Sequence, residues 1–515
     1  MYLTQGLHRA VQQQPDDVMT IFGDRERTFG EVAGRVARLA AALRGLGVGD
    51  GDRVAMLALN SDRYSEYLLA VPWANAVLNP VNVRWSAAEI AYSLRDSGTG
   101  VLLADDAFAP MLAAIRAAVP GLTTVVHAGD GPAPDGTVGY EDLVAAASPI
   151  EDARRGGSDL AGLFYTGGTT GFPKGVMLSH ANLGVSWLGS AATGHLVRPG
   201  SRTLHTAPMF HLADLACWGA TLLVGGSHVI VPAFDPAAVL AAIERHRVTD
   251  VLLVPTMIQL LANHPDITRY DLASLRSVIY GASPIPQALL ERAMKVFPGA
   301  SFTQAYGMTE LAPVATMLSP SDHQQSDLLR SAGRAAPHAE IRIVDPDGAQ
   351  VPSRTVGEII VRGGHVMQGY WNQPQQTAAA VRDGWMHTGD GGYLDDRGYL
   401  YVVDRIKDMI VTGGENVYSA EVENAVASHP AVAQCAVLGL PDPDWGERVH
   451  AVIVLRPDTT VTLEELREHV KTLIAGYKAP RSLELADRLP VSGAGKILKH
   501  ELRKKYWADQ ERQVH

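Results

Sequence analysis

Through the first 400 residues, short apolar runs alternate with stretches of helical spacing, and no other feature of the chain constrains its fold as much. Arg53–Leu59 (RVAMLAL) reads as a buried strand and Ser61–Leu69 as the helix after it. Gly100–Ala104, Thr124–His127, Val229–Val231 and Asp250–Val254 read as further strands, with Pro236–Arg245 and Thr256–Asn263 as helices. Parallel strands need a crossover between them, so this alternation predicts layered α/β structure with largely parallel strands. Thr28–Leu46 places apolar residues at 32, 36, 39, 40 and 43, one stripe of a helix turned to a core. At 46% apolar and 19% charged residues, 515 residues can bury a large core, which excludes wholesale disorder. At roughly 150 residues per domain the length predicts two to four domains.

The pattern changes further on. The turn signals Asp345–Gly348 (DPDG) and Asp395–Gly398 (DDRG) separate short strand-like runs and predict an antiparallel, β-rich section from about 330 to 403. After Asp404 a tail the size of a small α+β domain follows. Its expected elements are helices at Glu421–Ser428 and Leu463–Leu473 and strands at Val432–Leu438 and Arg448–Leu455. The expected division is an N-terminal region over 1–403, a junction at 404–408 and a C-terminal domain over 409–515.

Cys217 and Cys435 form no metal-ligand spacing, and a reduced cytoplasm is the expected setting. Met1–Ala10 lacks a basic segment followed by an apolar run, so no signal peptide is expected. Leu215–Phe234 is the longest apolar candidate, but His228, Pro232 and glycines interrupt it, which predicts a buried helix plus strand and no stable membrane insertion. A net charge of −11 argues against nucleic acid as a partner. An anionic substrate would need a local positive site.

Such a site is written in Tyr165–Val176, YTGGTTGFPKGV, where the strand Leu160–Tyr165 runs into three glycines, three threonines and a lysine. Gly167, Gly168 and Gly171 let the backbone turn its N–H groups inward; Thr166, Thr169 and Thr170 add hydroxyls, and Lys174 a mobile charge. The spacing is not that of a P-loop kinase, since Pro173 precedes the lysine and Gly175 follows it. In Gln304–Glu310 (QAYGMTE) an aromatic ring beside glycine can stack on a flat base, and the Thr-Glu pair can hold a divalent cation through oxygen. His387–Asp390 (HTGD) suits a ribose diol, with an Asx-turn as the bland alternative. Asp404–Glu423 alternates charged with apolar residues at the domain junction, where Arg405 and Lys407 could also be salt-bridged surface residues. Lys496, in Pro490–Lys499 (PVSGAGKILK), would read alone as a solvated charge on a flexible loop.

Taken in order, these segments, together with PMFH (Pro208–His211), YGASPI (Tyr280–Ile285) and GYKAP (Gly476–Pro480), resemble the adenylate-forming superfamily over essentially the whole chain, and its acyl-CoA synthetase branch in particular. The resemblance implies a mobile C-terminal domain and a two-step reaction. A carboxylate attacks the α-phosphate of Mg·ATP to give an acyl-adenylate and pyrophosphate; the C-terminal domain then rotates and coenzyme A displaces AMP. It implies that Thr166–Lys174 hold the β- and γ-phosphates and that Gly281, Ala282 and Ser283 line the adenine. Tyr306, flanked by Ala305 and Gly307, takes the other face of the base. Thr309 would contact the α-phosphate and Glu310 the Mg²⁺, with Thr166 as a second metal contact. Asp390 and Arg405 would hold the ribose, and Lys496 would bridge carboxylate and α-phosphate. Lys407 would be the hinge, Gly413 and Gly414 the loop beside the pantetheine, and His211 a neighbour of the acyl carboxylate.

Two departures stand out. Thr166-Gly167-Gly168 replaces Thr-Ser-Gly, and Ser419 stands where many relatives carry proline after Val-Tyr; neither removes a catalytic group. The acyl pocket is expected around Trp187–Leu188, Phe210–Cys217, Val278–Ala282 and Ala305–Pro313, mainly small and apolar, with Asp214 open to two readings, an acid that fixes a polar acyl group or a surface or helix-start residue. That favours a fatty or other apolar acid, with aryl acids such as hydroxycinnamates as the alternative. A free-standing adenylation enzyme that loads a carrier protein and a luciferase-like oxidase share the same expected fold. A non-catalytic nucleotide-binding protein would be expected to lack Lys496 or Glu310. A homodimer is compatible with these readings.

Overall fold

The structure is a computed structural model and describes residues 1–166, 173–405, 408–412, 415–493 and 495–506. Among the described residues it holds four sheets. Two are large and mainly parallel, and they share one apolar core with the helices packed around them.

The first sheet runs Gly369–Tyr370, Lys174–Ser179, Leu160–Thr166, Val77–Pro80, Arg53–Leu57, Val101–Ala104, Thr124–His127, Val138–Gly139. Its pairs are parallel from Leu160–Thr166 onward and antiparallel at the Lys174–Ser179 edge. The second has nine strands, and its parallel centre contains Asp250–Leu253, Ser277–Gly281 and Ser301–Gly307. The strands at both centres are buried and rich in Val, Leu and Ile, as parallel strands covered on both faces must be.

The helix expected over Thr28–Leu46 spans Phe29–Gly45. Thr28 caps it: the Glu31 N–H donates to Thr28 Oγ1, and the Thr28 N–H to the Glu31 carboxylate, a reciprocal cap that contributes about 1 kcal/mol. Its stripe of Val32, Val36, Leu39, Ala40 and Leu43 is buried, as the spacing requires. The apolar run from Leu215 resolves into the end of a helix, Leu212–Val224, and a strand, Ser227–Ile230. Among the described residues no helix is long and apolar enough to cross a membrane. Both cysteines are free and buried.

The β-rich section is an antiparallel sheet ordered Glu340–Val344, Gly357–Arg362, Trp385–Leu394, Val381–Arg382, with Leu400–Arg405 paired to Trp385–Leu394. The separate C-terminal domain has its own apolar core and a sheet built on Val432–Asp442 and Gly446–Leu455, with helices Ser419–Ala427 and Leu463–Lys471 against it. The fold is thus the α/β body with a small α+β domain that the alternation and the tail predict.

Candidate active site

The ends of two parallel strands, Ser277–Gly281 and Ser301–Gly307, meet in register, Gly281 beside Ala305. Beyond them Ala282 holds φ of 65° and Ser283 is half-buried. A non-glycine residue in that region costs roughly 1–3 kcal/mol and is tolerated where the surroundings fix it. A Cβ on Gly307 would lie 1.8 Å from the carbonyl oxygen of Pro313, so a side chain there would force the backbone apart. Glycine is therefore required at 307 by the close approach of the neighbouring backbone. The Tyr306 hydroxyl donates to Asp390 Oδ2 at 2.8 Å, tying the second sheet to the β-rich section. Asp390 sits within the strand Trp385–Leu394, opposite Arg405 in register; its N–H donates to Thr388 Oγ1 at 3.1 Å. The side chain of Arg405 lies outside the described residues.

Thr309 opens a single 3-10 turn, Thr309–Leu311, whose next residue is buried Glu310. The Tyr370 hydroxyl donates to Glu310 Oε1 at 2.8 Å. Burial and the neighbouring Glu310 raise the Tyr370 hydroxyl far above the usual phenol range, so it remains a donor. Thr166 ends the strand Leu160–Thr166, directly across from Lys174. The Lys174 ammonium stands 5.1 Å from the centre of the Tyr370 ring. Gly167, Gly168, Thr169, Thr170 and Gly171, between these two ends, lie outside the described residues, as do Lys407, Gly413 and Gly414.

The segment His205–His211 is clamped by Asn60, which is buried. Its amide donates to the Ala207 carbonyl at 2.9 Å, and its Oδ1 accepts from the Met209 N–H at 2.8 Å. His211 Nδ1 accepts from the Ala213 N–H at 3.2 Å, capping the helix Leu212–Val224, so a neutral ring carries its proton on Nε2. Burial first and the Lys496 charge second push the His211 imidazole down to about 4, so it is neutral at neutral pH.

The C-terminal domain brings Lys496 to this face. In its loop the Ser492 N–H donates to the Lys496 carbonyl at 2.7 Å, and the Lys496 N–H to Ser492 Oγ at 3.1 Å. Arg84 of the body donates to the Ser492 carbonyl at 3.0 Å. A Cβ on Gly493 would lie 2.8 Å from Asn82 and 3.1 Å from Phe210, so the loop is seated on the body. Glu310 is a buried hard-oxygen donor with one oxygen already held, which fits Mg²⁺, an ion that takes one or two carboxylates and completes its shell with phosphate and water.

The acyl side differs from expectation at two residues. Leu188 is 51% exposed and faces away, whereas Trp187 is buried edge-on to Trp218, 6.3 Å between ring centres. Asp214 starts a helix as expected but is no surface residue: it is 1% exposed, with Oδ2 2.9 Å from His205 Nδ1. His205 in turn contacts His228 at 3.0 Å, a wholly buried polar chain behind the His211 turn. Ala213, Cys217, Ile279, Ala305 and Val314 do meet in one apolar cluster. Sequence reasoning missed Asn60, Arg84 and Tyr370. Only Tyr370 carried a signal, as the aromatic of a Gly-Tyr-Trp run after the β-rich section begins.

A family model described as AMP-binding enzyme matches residues 7–371, and one described as AMP-binding enzyme C-terminal domain matches 421–496. The chain belongs to the AMP-binding enzyme family. Within it, the chain is 42% identical over 500 residues to a feruloyl-CoA synthase of Amycolatopsis sp, covering 97% of this chain and 98% of the relative. It is 37% identical over 527 residues to a medium/long-chain-fatty-acid–CoA ligase of Mycobacterium tuberculosis, covering 98% of this chain and 90% of that one. Among solved structures, an anthranilate CoA ligase in complex with anthranoyl-AMP superposes with a TM-score of 0.92 at 27% identity, over 98% of this chain and 97% of that one.

Proposed function

We propose that this AMP-forming acid–CoA ligase activates an apolar aryl acid of the hydroxycinnamate type, in the two steps of adenylate formation and thioester formation. The observation that carries the ligase chemistry is the seating of the Lys496 loop on the body beside His211, in a chain that also bonds Tyr306 to Asp390 and Tyr370 to Glu310. Carboxylate and ATP repel one another. Lys496 offsets that repulsion between the attacking oxygen and the α-phosphate and stabilises the charge that develops there. Thr309 contacts the α-phosphate, and Lys174 with the Thr166–Lys174 loop holds the departing pyrophosphate. Asp390 and Arg405 hold the ribose, and Gly281–Ser283 and Tyr306 enclose the base. Glu310 and Thr166 would hold Mg²⁺, which would supply charge neutralisation on the phosphates. A hinge at Lys407, between domains ending at 403 and beginning at 409, then lets Gly413 and Gly414 enter beside the pantetheine of CoA.

The aryl reading is supported by the feruloyl-CoA synthase at 42% identity and by the small, apolar cluster of Ala213, Cys217, Ile279 and Ala305. Fatty acids are the second reading, favoured by the fatty-acid–CoA ligase at 37%. Both cysteines being free and buried suits a reducing cytoplasm. The test is to incubate the protein with Mg·ATP, CoA and a panel of hydroxycinnamates, benzoates and fatty acids, and to read acyl-CoA and AMP by mass spectrometry. Preference for hydroxycinnamates over every fatty acid supports the aryl reading, and the reverse order replaces it. AMP without acyl-CoA moves the acceptor to a carrier protein.

A further inference from the structure

The geometry points to Tyr370 as a positioning residue that sets Glu310 and Lys174 in place together, one through its hydroxyl and the other through the face of its ring. This rests on the proposed role of Glu310 at the metal. Four observations place Tyr370 between them. Its hydroxyl donates to Glu310 Oε1 at 2.8 Å, and its ring centre lies 5.1 Å from Lys174 Nζ, within cation–π range. Its backbone is fixed to the strand that carries Lys174: Tyr370 pairs with Val176, and the Trp371 N–H donates to the Gly175 carbonyl at 2.8 Å. Three residues earlier, the Met367 N–H donates to the Glu310 carbonyl at 2.9 Å. A five-residue segment therefore measures the separation between the turn bearing Glu310 and the strand bearing Lys174.

The physical argument is one of orientation. A carboxylate held by a buried donor loses rotational freedom, which fixes the direction in which it can meet a metal. Outer partners of metal-binding groups commonly alter metal affinity by about 10–100-fold. The ring does the same for a flexible ammonium, which without it would spread over many rotamers. Tyr370 would touch neither phosphate nor metal.

The test measures Mn²⁺ binding to the ATP-loaded protein by electron paramagnetic resonance, and ATP binding in EDTA by calorimetry, for the wild type, Tyr370→Phe, Tyr370→Leu and Glu310→Gln. Tyr370→Phe keeps the ring and should weaken Mn²⁺ binding about 10-fold, with metal-free ATP affinity unchanged. Tyr370→Leu should weaken metal-free ATP binding as well. Mn²⁺ affinity of Tyr370→Phe equal to wild type overturns the hydroxyl role, and equal weakening with and without metal reduces it to a structural one. Metal-free ATP affinity of Tyr370→Leu equal to that of Tyr370→Phe overturns the ring role. If Glu310→Gln binds Mn²⁺ as well as wild type, the assignment of Glu310 to the metal fails, separately from Tyr370. Thermal melting within a few degrees of wild type shows that Tyr370→Phe folds; should it not, Glu310→Gln in the wild-type ring context still reports on the carboxylate, and Mn²⁺ affinity of Tyr370→Leu at wild-type level overturns the inference.

Discussion

Glu310 and Lys496 are the two charged groups on which the proposed chemistry turns, and the molecule holds them in opposite ways. Glu310 is buried, its carboxylate bonded to Tyr370 and its carbonyl to Met367, on a turn between strands of a nine-stranded sheet. Lys496 rides a short loop, closed on itself by Ser492, in a domain with a separate core. That loop meets the body through Arg84 and the close approach at Gly493, and a further contact runs from Gln259 to the Ala433 carbonyl at 2.7 Å. A group built into a rigid sheet keeps its place through both half-reactions. A group needed in one is better carried on an element that can leave.

The sharpest way to break this comparison is Lys496→Ala. It should lower adenylate formation by about 10²–10³-fold, the usual cost of a lost preorganised charge, and leave thioester formation from supplied acyl-adenylate largely intact. Equal loss in the two half-reactions would remove the distinction between fixed and travelling groups. Asp390→Ala, on the fixed side, should weaken ATP by about 10–100-fold, as expected for a charged hydrogen bond worth roughly 1.5–3 kcal/mol. The KM for the acid should not move; pyrophosphate exchange at varied ATP and acid reads both.

A third prediction concerns pH. Burial holds His365 down to about 3, and His180 and His211 to about 4, all in the body; His450 of the C-terminal domain is likewise held to about 4. Each folded value lies below the unfolded one of about 6.5. The stability each contributes is complete above pH 6.5 and falls by about 1.4 kcal/mol per unit as pH drops toward the folded value. Urea unfolding at pH 7.5, 6 and 5 should show this decline, and His365→Asn should flatten it. An unchanged slope would mean that the ring is hydrated in the native state. The smallest effect is expected for Arg84→Ala. Losing one exposed bond worth about 1 kcal/mol or less should slow adenylation only ~2–5-fold, and thioester formation not at all.

The layered body was legible because period decides it: buried strands of four or five apolar residues and helical stripes such as Val32, Val36, Leu39 and Leu43 leave few alternatives. The candidate site segments are legible as local clusters of glycine, hydroxyl and charge. What joins them is not. Asn60 clamps residues almost 150 positions away, Tyr370 bonds to a carboxylate 60 positions away, and Asp214, polar and at a helix start, is buried against His205, a strand residue that in turn meets His228. Such contacts follow from which strand ends become neighbours, and a linear pattern contains no record of that. Leu188 fails for a simpler reason: adjacent helix residues face different ways, so its neighbour Trp187 could be buried while it was not.

Arg84 and Gln259 reach across to the C-terminal domain in the same manner, each donating to a main-chain carbonyl, of Ser492 and of Ala433. Neither contact consults the identity of the side chain on the far side. The body therefore recognises the shape of its partner's backbone, and domains exchanged between related ligases can dock through these bonds even where their surfaces have diverged in sequence.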